Sequence, residues 1–399
     1  MKERPVIASV PWDLAPHLPW QVVSSPAEQW AELPSFLIGE ILFIALALLG
    51  LVHARRNGPD HLLIWIGALI AGTANDMIFM ALPLVDNFWQ AQAVIMLTPR
   101  LPLYIPCVYV CFMYFPTVAV RRLRLPPWSQ AALTGLTAML FYAPYDIVGA
   151  KFLWWTWHDT DLPIAARILG APVGSSLWVL TFVGAFGWLM HRAITKHGIV
   201  HASADGLAPR VELGAKGFAW GLAAVAGLTT LCMMLQMTVL QQLDGGAPAY
   251  RAFIAGIVIY LIVVARGFKR AAPEAPRRSD RIMVAGVAGY FATLTLIMAV
   301  FTPETHVSTG THQVPGPCYV EVKDITGLTR HQYLCASDFD EDYSFECVDE
   351  LPADHAEWYT VCGKPHSSFP TWMGGISALG AAGIALFFFL LGPLRRRRS

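Results

Sequence analysis

A short polar stretch within an apolar chain contains the residue types that could do chemistry. The sequence "AKFLWWTWHDTDLPIAARILG", residues 150–170, holds three tryptophans, one histidine, two aspartates, one lysine and one arginine. A histidine can serve as a proton relay, a general acid or base, or a metal ligand near neutral pH. We therefore take His158 and Asp159 as candidate catalytic residues.

The same stretch contains a candidate metal site. His158, Asp159 and Asp161 combine an imidazole with carboxylate oxygens, a set that could hold a divalent ion, the one cofactor that these residues suggest. Asp161 also precedes "LPIAARI", where its carboxylate is expected to cap the first turn of the next spanning helix, with Pro163 just inside its start. Both interpretations of Asp161 stay open.

The tryptophans of this stretch have a structural explanation. Indole rings favour the headgroup level of a membrane, so Trp154, Trp155 and Trp157 are typical of a membrane interface. Lys151 is expected to extend toward that interface from a helix end. Since the interface is also where a ligand would enter, Trp157 and Lys151 are candidate substrate-binding residues.

Helices that cross a membrane must position these residues. Of the 399 residues, 55% are hydrophobic and 14% charged, whereas about 25% are charged in soluble domains. A spanning helix needs about 20 apolar residues, and the third run is expected to be kinked by its prolines. The sequence predicts an all-α, polytopic transmembrane bundle of nine spans near residues 35–54, 61–83, 89–119, 128–149, 164–191, 215–242, 249–267, 281–301 and 371–394.

Basic residues predict the orientation of the bundle. Short loops rich in lysine and arginine stay on the cytoplasmic side of a membrane. Such loops follow the first, third, fifth and seventh spans, and "RRRRS" follows the ninth, while the opposite loops contain "LVDNF", "WTWHDTD" and "QQLDGGAP". We therefore expect the N-terminus outside and the C-terminus in the cytoplasm.

The chain is expected to divide into four segments. Residues 1–34 form an extracytoplasmic N-terminal segment, 35–301 an eight-span bundle, 302–370 an extracytoplasmic loop, and 371–399 the last span with a basic tail. In an oxidising compartment, the four cysteines of the loop predict two disulfides with three possible pairings, and a zinc site is the alternative. These cysteines are Cys318, Cys335, Cys347 and Cys362.

Among the charged residues of the predicted spans, three acids and two arginines lie in the outer halves of their spans. Charged groups inside a membrane are expensive, so each of them is a candidate functional residue. The acids are further catalytic candidates, and the arginines are candidates to orient an anionic substrate. If they meet at one depth, they could neutralise each other in a polar cluster that opens outward beneath "WTWHDTD". The five are Glu40, Asp76, Asp146, Arg100 and Arg167.

Two resemblances rest on this region. The sequence "PYDIVGAKFLWWTWHDTD", with an arginine and "GAPVGSS" after it, resembles an uncharacterised family of multi-pass membrane proteins that carry a PYDIxGxKFxxWTWHDTD-type motif. The stretch "VDNFWQAQAVIMLTPRLPLYI" is similar to the same family, and the resemblance covers about residues 35–192. A fainter resemblance to membrane-embedded carotenoid and terpene cyclases implies protonation of an isoprenoid double bond by a buried carboxylate.

Three functions fit these observations. The first is a membrane-embedded enzyme or binder for a lipid or isoprenoid, with acid–base roles for the carboxylates and His158. The alternatives are a transporter or proton relay, for which the inner half of the bundle offers no second polar constriction, and a structural or receptor-like protein whose outer loop binds a protein partner. We expect the bilayer itself as a partner, in a bacterial inner membrane, a plasma membrane or the endoplasmic reticulum. Nucleotide enzymes and nucleic-acid binding are excluded by missing motifs and by basic residues confined to loops.

Overall fold

The computed structural model describes residues 20–82, 88–157, 161–196, 215–324, 327–337 and 343–392. Among these residues, nine helices, α2 to α10, are long and apolar enough to cross a membrane, which confirms the predicted number of spans. The ten helices are α1 Pro26–Glu32, α2 Pro34–Asn57, α3 Pro59–Ala81, α4 Tyr104–Arg121, α5 Pro127–Lys151, α6 Val173–Lys196, α7 Ala215–Leu240, α8 Tyr250–Phe268, α9 Asp280–Val300 and α10 Phe369–Leu391.

Short strands occupy the connections between these helices. They are β1 Phe88–Gln90, β2 Met96–Thr98, β3 Leu101–Pro102, β4 Trp155–Trp157, β5 Arg167–Ile168, β6 Ala171–Pro172, β7 Val307–Thr311, β8 Glu321–Lys323, β9 Thr329–His331, β10 Tyr343–Ser344 and β11 Trp358–Gly363. All of the pairings between them are antiparallel: β1 with β4, β2 with β3, β5 with β6, β8 with β9, and β11 with both β7 and β10.

Proline begins several of the helices. Pro34, Pro59 and Pro127 stand in the first turns of α2, α3 and α5, respectively. The N–H groups of a first turn make no hydrogen bond within the helix, so a proline there costs none. Gly58 adopts a φ of 103° between α2 and α3, a conformation that side chains rarely tolerate. These local signals let consecutive apolar runs turn back on themselves within one or a few residues.

The bundle has two ends with different chemistry. At one end, which we call the sheet end, Ser35 at the start of α2 shares hydrogen bonds with Trp154 after α5 and with His306 after α9. At the other, which we call the basic end, Arg122 after α4 pairs with Asp280 at the start of α9. Helix starts and ends therefore alternate between the two ends, as successive spans require, and the assignment of the sheet end to the outside stays a prediction.

The third predicted span, 89–119, was wrong in its first half. Residues 88–102 form β1, β2 and β3, and the helix begins only at Tyr104. Pro99 and Pro102 lack the N–H groups that a helix interior needs, and the tight turn between β2 and β3 uses Pro99 and Arg100 instead. Pro106 is tolerated because it falls in the first turn of α4.

The fifth predicted span, 164–191, begins too early. Residues Leu162–Ile164 form a single 3-10 turn, β5 and β6 form a hairpin, and α6 starts at Val173. Leu169 and Gly170 both have positive φ, 50° and 75°, which is the geometry of a two-residue hairpin turn. Arg167 consequently lies on a strand and not in the first turn of a helix.

The segment after α9 is not a plain loop, so the all-α expectation needs correction. We call residues 302–368 the disulfide subdomain, with 325–326 and 338–342 outside the described residues. It contains β7 to β11 and two disulfides, Cys318–Cys335 and Cys347–Cys362, which confirms two bridges and selects one of three pairings. Each bridge joins residues within one short stretch of the chain.

Aromatic packing fills the centre of the bundle, and apolar side chains cover its periphery. Phe141 of α5 stacks on Tyr290 of α9 with ring centroids 4.3 Å apart. On α7, by contrast, Leu235 and Val239 are 59% and 71% exposed, as expected for a face in contact with lipid chains. The apolar surface and the packed interior together fit an integral membrane bundle.

Candidate functional site

A cavity of about 240 Å3 lies among helices α3 to α7 at the sheet end. The β1–β4 pair and the β8–β9 hairpin of the disulfide subdomain also border it. Its polar lining comes from both the helices and the subdomain: Asn75, Asp76, Gln90, Ser175, Thr238, Gln241, Asp324 and Arg330. A mostly apolar cavity with a few polar groups between helices is the usual form of a small-molecule site.

Eight aromatic side chains form a continuous surface of this cavity, which we call the aromatic wall. Consecutive rings have centroids 4.9 to 6.3 Å apart, from α6 through α4 and α5 to the β1–β4 pair. In this order they are Trp178, Tyr109, Phe112, Tyr142, Tyr145, Trp155, Trp157 and Phe88. The flexible side chains of Met233, Met234 and Met237 line it from α7.

Asp76 brings a carboxylate to the aromatic wall. It is 4% exposed, lies five residues before the end of α3, and accepts a hydrogen bond of 2.8 Å from the Tyr109 hydroxyl. Its neighbour Asn75 also lines the cavity and accepts a bond of 3.2 Å from the Thr230 hydroxyl. Asp76 is thus the predicted catalytic acid whose own side chain borders the cavity.

Asp146 lies just behind the lining. It is 0% exposed, and neither of its carboxylate oxygens accepts a hydrogen bond from the described residues, although the Ser175 hydroxyl and Arg167 are among its polar neighbours. Ser175 itself lines the cavity. A buried carboxylate with unfilled acceptor positions normally requires a water, a proton or a ligand, so Asp146 is a second candidate acid beneath the cavity surface.

The β4 tryptophans supply two further polar groups. Trp157 and Trp155 pair with Phe88 and Gln90 of β1, so their backbones are satisfied by the strand pair. Their indole N–H groups are buried and have no hydrogen-bond partner among the described residues. Because both rings line the cavity, two donors are available there to an oxygen of a bound molecule.

Arg330 closes the cavity from the disulfide subdomain. Its guanidinium donates to both carboxylate oxygens of Asp161 and lies 3.3 Å from Asp324. Arg330 and Asp161 are 5% and 0% exposed, so this contact is a buried, bidentate ion pair across 169 residues of sequence. The helix-capping role predicted for Asp161 was therefore wrong: its carboxylate accepts no cap hydrogen bond from the backbone N–H groups that follow it, and α6 begins twelve residues later.

Two of the three predicted metal ligands are not among the residues that the structure describes. His158 and Asp159, which were also catalytic candidates, lie outside the described residues. Asp161 has both oxygens bonded to Arg330, which would compete with a cation. Among the residues that the structure describes, no three His, Cys, Asp or Glu side chains are grouped as metal ligands, so a divalent ion at His158, Asp159 and Asp161 stays a prediction.

Glu40, Arg100 and Arg167 are not among the lining residues. Glu40 accepts the backbone N–H of Val94 at 3.1 Å. Arg100 donates to the Phe88 carbonyl at 2.5 Å, and Arg167 donates to the Ile164 carbonyl at 2.9 Å. Arg167 is also the positively charged neighbour of Asp146, while mutual neutralisation among all five charges stays a prediction.

Lys151 lies near the disulfide subdomain and away from the cavity. It is 1% exposed, donates to the Pro365 carbonyl at 3.1 Å and lies 4.9 Å above the ring of Trp372. The predicted extension toward a membrane interface is therefore replaced by contacts between α5 and the start of α10. Of the four predicted substrate-binding residues, Trp157 is the one that lines the cavity.

Two buried histidines attach the disulfide subdomain to the bundle. His312 shares a hydrogen bond of 3.3 Å with Thr156 of β4, and His306 shares one of 2.8 Å with Ser35. Burial lowers the pKa of each imidazole from 6.5 to about 4, so both are neutral near pH 7. Each neutral imidazole can donate one hydrogen bond and accept another.

A second charged cluster lies at the basic end, where the sequence suggested no second polar constriction. Asp280 is 0% exposed, lies 2.8 Å from Arg122 and 3.4 Å from the Nε2 atom of His53. His53 also shares a bond of 2.7 Å with the hydroxyl of Tyr114. Asp280 stands at a predicted span boundary and was therefore treated as a loop residue.

Sequence reasoning missed most of the aromatic wall. The helical members recur at spacings of three on one helix face, as Tyr109 with Phe112 and Tyr142 with Tyr145. This spacing was a usable signal, because residues three apart share a face. Arg330 carried no comparable signal, since its role depends on the docking of a distant segment.

Comparisons with known proteins match the whole bundle to one family. The family model "Domain of unknown function (DUF7802)" matches residues 6–390. No curated protein and no solved structure is significantly similar to the chain. The chain therefore belongs to this family, whose description assigns no activity.

Proposed function

We propose that this family member is a multi-pass membrane protein that binds a lipid or isoprenoid molecule in the cavity at the sheet end. The observation that carries the proposal is the cavity itself, with Asp76 and two indole N–H groups that have no partner among the described residues at its surface, and Asp146 beneath it. A purely structural charge cluster would predict paired acids and no cavity. The combination of an apolar lining with a few convergent polar groups supports an amphipathic ligand.

The lining suggests how such a ligand would lie. Methionine side chains of α7 and aliphatic groups of α4 suit a hydrocarbon chain, while the Trp155 and Trp157 donors suit an oxygen near its head. If the protein is an enzyme, Asp76 contacts the ligand directly, and Asp146 acts through Ser175 as a second acid or base. Protonation of an isoprenoid double bond, as the cyclase resemblance implies, is the reaction for which an aromatic wall is best suited, because π faces stabilise a developing cation.

A cavity-filling substitution tests this proposal. Met234→Trp places an indole where a lining side chain now lies, and overpacking of this kind typically weakens a site by about 1–3 kcal/mol, or roughly 5- to 150-fold in affinity. Leu235→Trp is the matched control, because the neighbouring side chain is 59% exposed on the apolar surface of the same helix. Purified proteins are extracted, and the retained lipids are compared by mass spectrometry.

The expected result is one lipid class that the wild type and Leu235→Trp retain and Met234→Trp loses. Equal lipid profiles in all three proteins, at equal folded yield, contradict a ligand in this cavity. Asp76→Asn and Asp146→Asn then separate a binder from an enzyme. A binder keeps or loses the same lipid, whereas an enzyme variant accumulates a chemically different precursor in the extract of the expressing cells.

The transporter alternative is supported by the charged cluster at the basic end. His53, Asp280 and Arg122 would form the second polar group that a proton path needs on the other side of the bundle. Proteoliposomes with an internal pH-sensitive dye test this alternative under an imposed proton gradient. A flux that is absent in His53→Gln and present in the wild type supports it, and wild-type vesicles as tight as protein-free vesicles refute it.

A further inference from the structure

We infer that the ligand head which contacts Asp76 is an amine or quaternary ammonium group, held beside the aromatic wall of the cavity. This inference rests on the proposed function, since it names the chemistry of the molecule that the cavity binds. Three independent features of the described lining support it: its charge, the arrangement of its rings and the position of its carboxylate.

The charge of the lining is negative. The charged side chains at the cavity surface are Asp76, Asp324 and Arg330. Arg330 is already bonded to two carboxylates, Asp161 and Asp324, so its charge is more than balanced locally. Asp146 adds a further acidic group behind Ser175, opposed by Arg167 nearby. An anionic head would therefore meet excess negative charge, while a cationic head would relieve it.

The rings beside Asp76 pack edge to face against one another. The planes of Tyr109 and Trp178 are 84° apart, those of Tyr142 and Trp178 are 66° apart, and those of Phe112 and Tyr142 are 71° apart. Phe112 and Trp178 also contact each other, with centroids 6.0 Å apart, so these rings form a packed wall and enclose no space of their own. Because all four line the cavity, a cation bound there would lie beside aromatic rings, to which cations are attracted within about 6 Å.

The carboxylate stands beside this wall of rings. The Tyr109 hydroxyl donates to Asp76 at 2.8 Å, so one ring of the wall is hydrogen-bonded to the acid itself. Donation to a carboxylate moves electron density toward the tyrosine ring, and a richer ring attracts a cation more strongly. A nearby negative charge and electron-rich π faces act in the same direction in a site removed from water.

Three probes of matched shape test the inference on the full chain in a neutral maltoside detergent. Dodecyltrimethylammonium carries the cation on a hydrocarbon chain, and an alkane of the same length that ends in a tert-butyl group is its neutral isostere. Tetramethylammonium is the head without the chain. Binding is measured by the change in tryptophan fluorescence, and Met234→Trp provides the correction for partition into micelles.

The expected result is that the wild type binds dodecyltrimethylammonium at least about tenfold more tightly than the neutral isostere. Asp76→Asn keeps an acceptor for Tyr109 but removes the charge, and it should abolish most of this preference. Asp60→Asn, at the basic end, should retain it, because Asp60 pairs with Arg121 outside the cavity. Competition by tetramethylammonium would indicate that the head alone is recognised, and its absence would indicate that chain and head are both required.

Equal affinity of the wild type for the charged and neutral probes overturns the inference, and so does an unchanged preference in a folded Asp76→Asn. In either case the proposed lipid site would stand, because both probes still bind. If neither probe binds the wild type above the Met234→Trp background, the proposed function fails together with the inference. Probe selectivity in the wild type decides the question even where Asp76→Asn does not accumulate.

Discussion

Acidification between pH 7.5 and 5 is expected to destabilise the docking of the disulfide subdomain. His306 and His312 are 0% and 2% exposed, and burial lowers the pKa of both imidazoles to about 4. Because these folded pKa values lie below the unfolded value of 6.5, the unfolded state binds protons first. The stability that the neutral histidines provide is complete above about pH 6.5 and is lost progressively as the pH falls toward 4.

The magnitude follows from the two pKa values. With 6.5 unfolded and about 4 folded, proton linkage at pH 5 lowers the free energy of unfolding by about 2 kcal/mol for each histidine. Two histidines together would remove about 4 kcal/mol, a large part of the stability of a typical domain. As the pH falls, this stability is lost before most carboxylates are protonated, since ordinary aspartates and glutamates protonate near pH 4.

The assay is limited proteolysis of the full chain in neutral detergent at pH 7.5, 6.5, 5.5 and 5.0, with thermal unfolding followed by intrinsic fluorescence. His312→Asn retains one donor and one acceptor, and it should reduce the pH dependence by about half; the double variant with His306→Asn should remove most of it. His355→Asn, at an exposed position of the same subdomain, is the control. A wild type that is equally resistant at pH 7.5 and 5.0, or a double variant with unchanged pH dependence, refutes the reasoning.

Two further predictions concern packing and pairing. Asp161→Asn leaves the buried guanidinium of Arg330 without its bidentate partner, and we expect a loss of about 3–5 kcal/mol, seen as early cleavage within the disulfide subdomain in the proteolysis assay; wild-type resistance would contradict a structural role for the pair. Gly72→Ala would place a methyl group 2.3 Å from Cβ of Tyr109 and should lower the thermal midpoint through about 1–3 kcal/mol of overpacking. Gly227→Ala, which meets open space, is its control and should not lower the midpoint, so equal effects of the two substitutions would contradict the close approach.

Hydropathy was sufficient to locate the helices because burial in lipid requires long apolar runs and little else. The nine runs of the sequence correspond to nine described helices, and the cysteine count correctly indicated two disulfides. The two misplaced spans, 89–119 and 164–191, contain apolar residues without helical backbone. Hydropathy cannot separate these cases, because a short apolar strand and a buried helix segment have the same composition.

The candidate site was only partly predictable for a different reason. Asp76 and Trp157 could be proposed from their charge and position, since a charged or interfacial residue in an apolar run is conspicuous. The ion pair between Asp161 and Arg330 could not be proposed from the sequence. Its two members are separated by 169 residues and belong to segments that were treated as independent. Its formation depends on tertiary docking, about which local sequence patterns carry no information.

The buried charges of the sheet end can be divided by what they bond. A spanning helix makes its backbone hydrogen bonds internally, whereas strands in the connections leave backbone N–H and C=O groups that need other partners. Such backbone is tolerated among the helices only where side chains or other strands form hydrogen bonds with it. Glu40 accepts the Val94 N–H and Arg100 donates to the Phe88 carbonyl, so these two charges are explained by the irregular backbone of residues 88–102. Asp76 instead accepts from the Tyr109 hydroxyl at the cavity surface, and Asp146 has the Ser175 hydroxyl among its polar neighbours just behind it. Because both acids stand among the side chains that form the cavity, a ligand there would explain their burial.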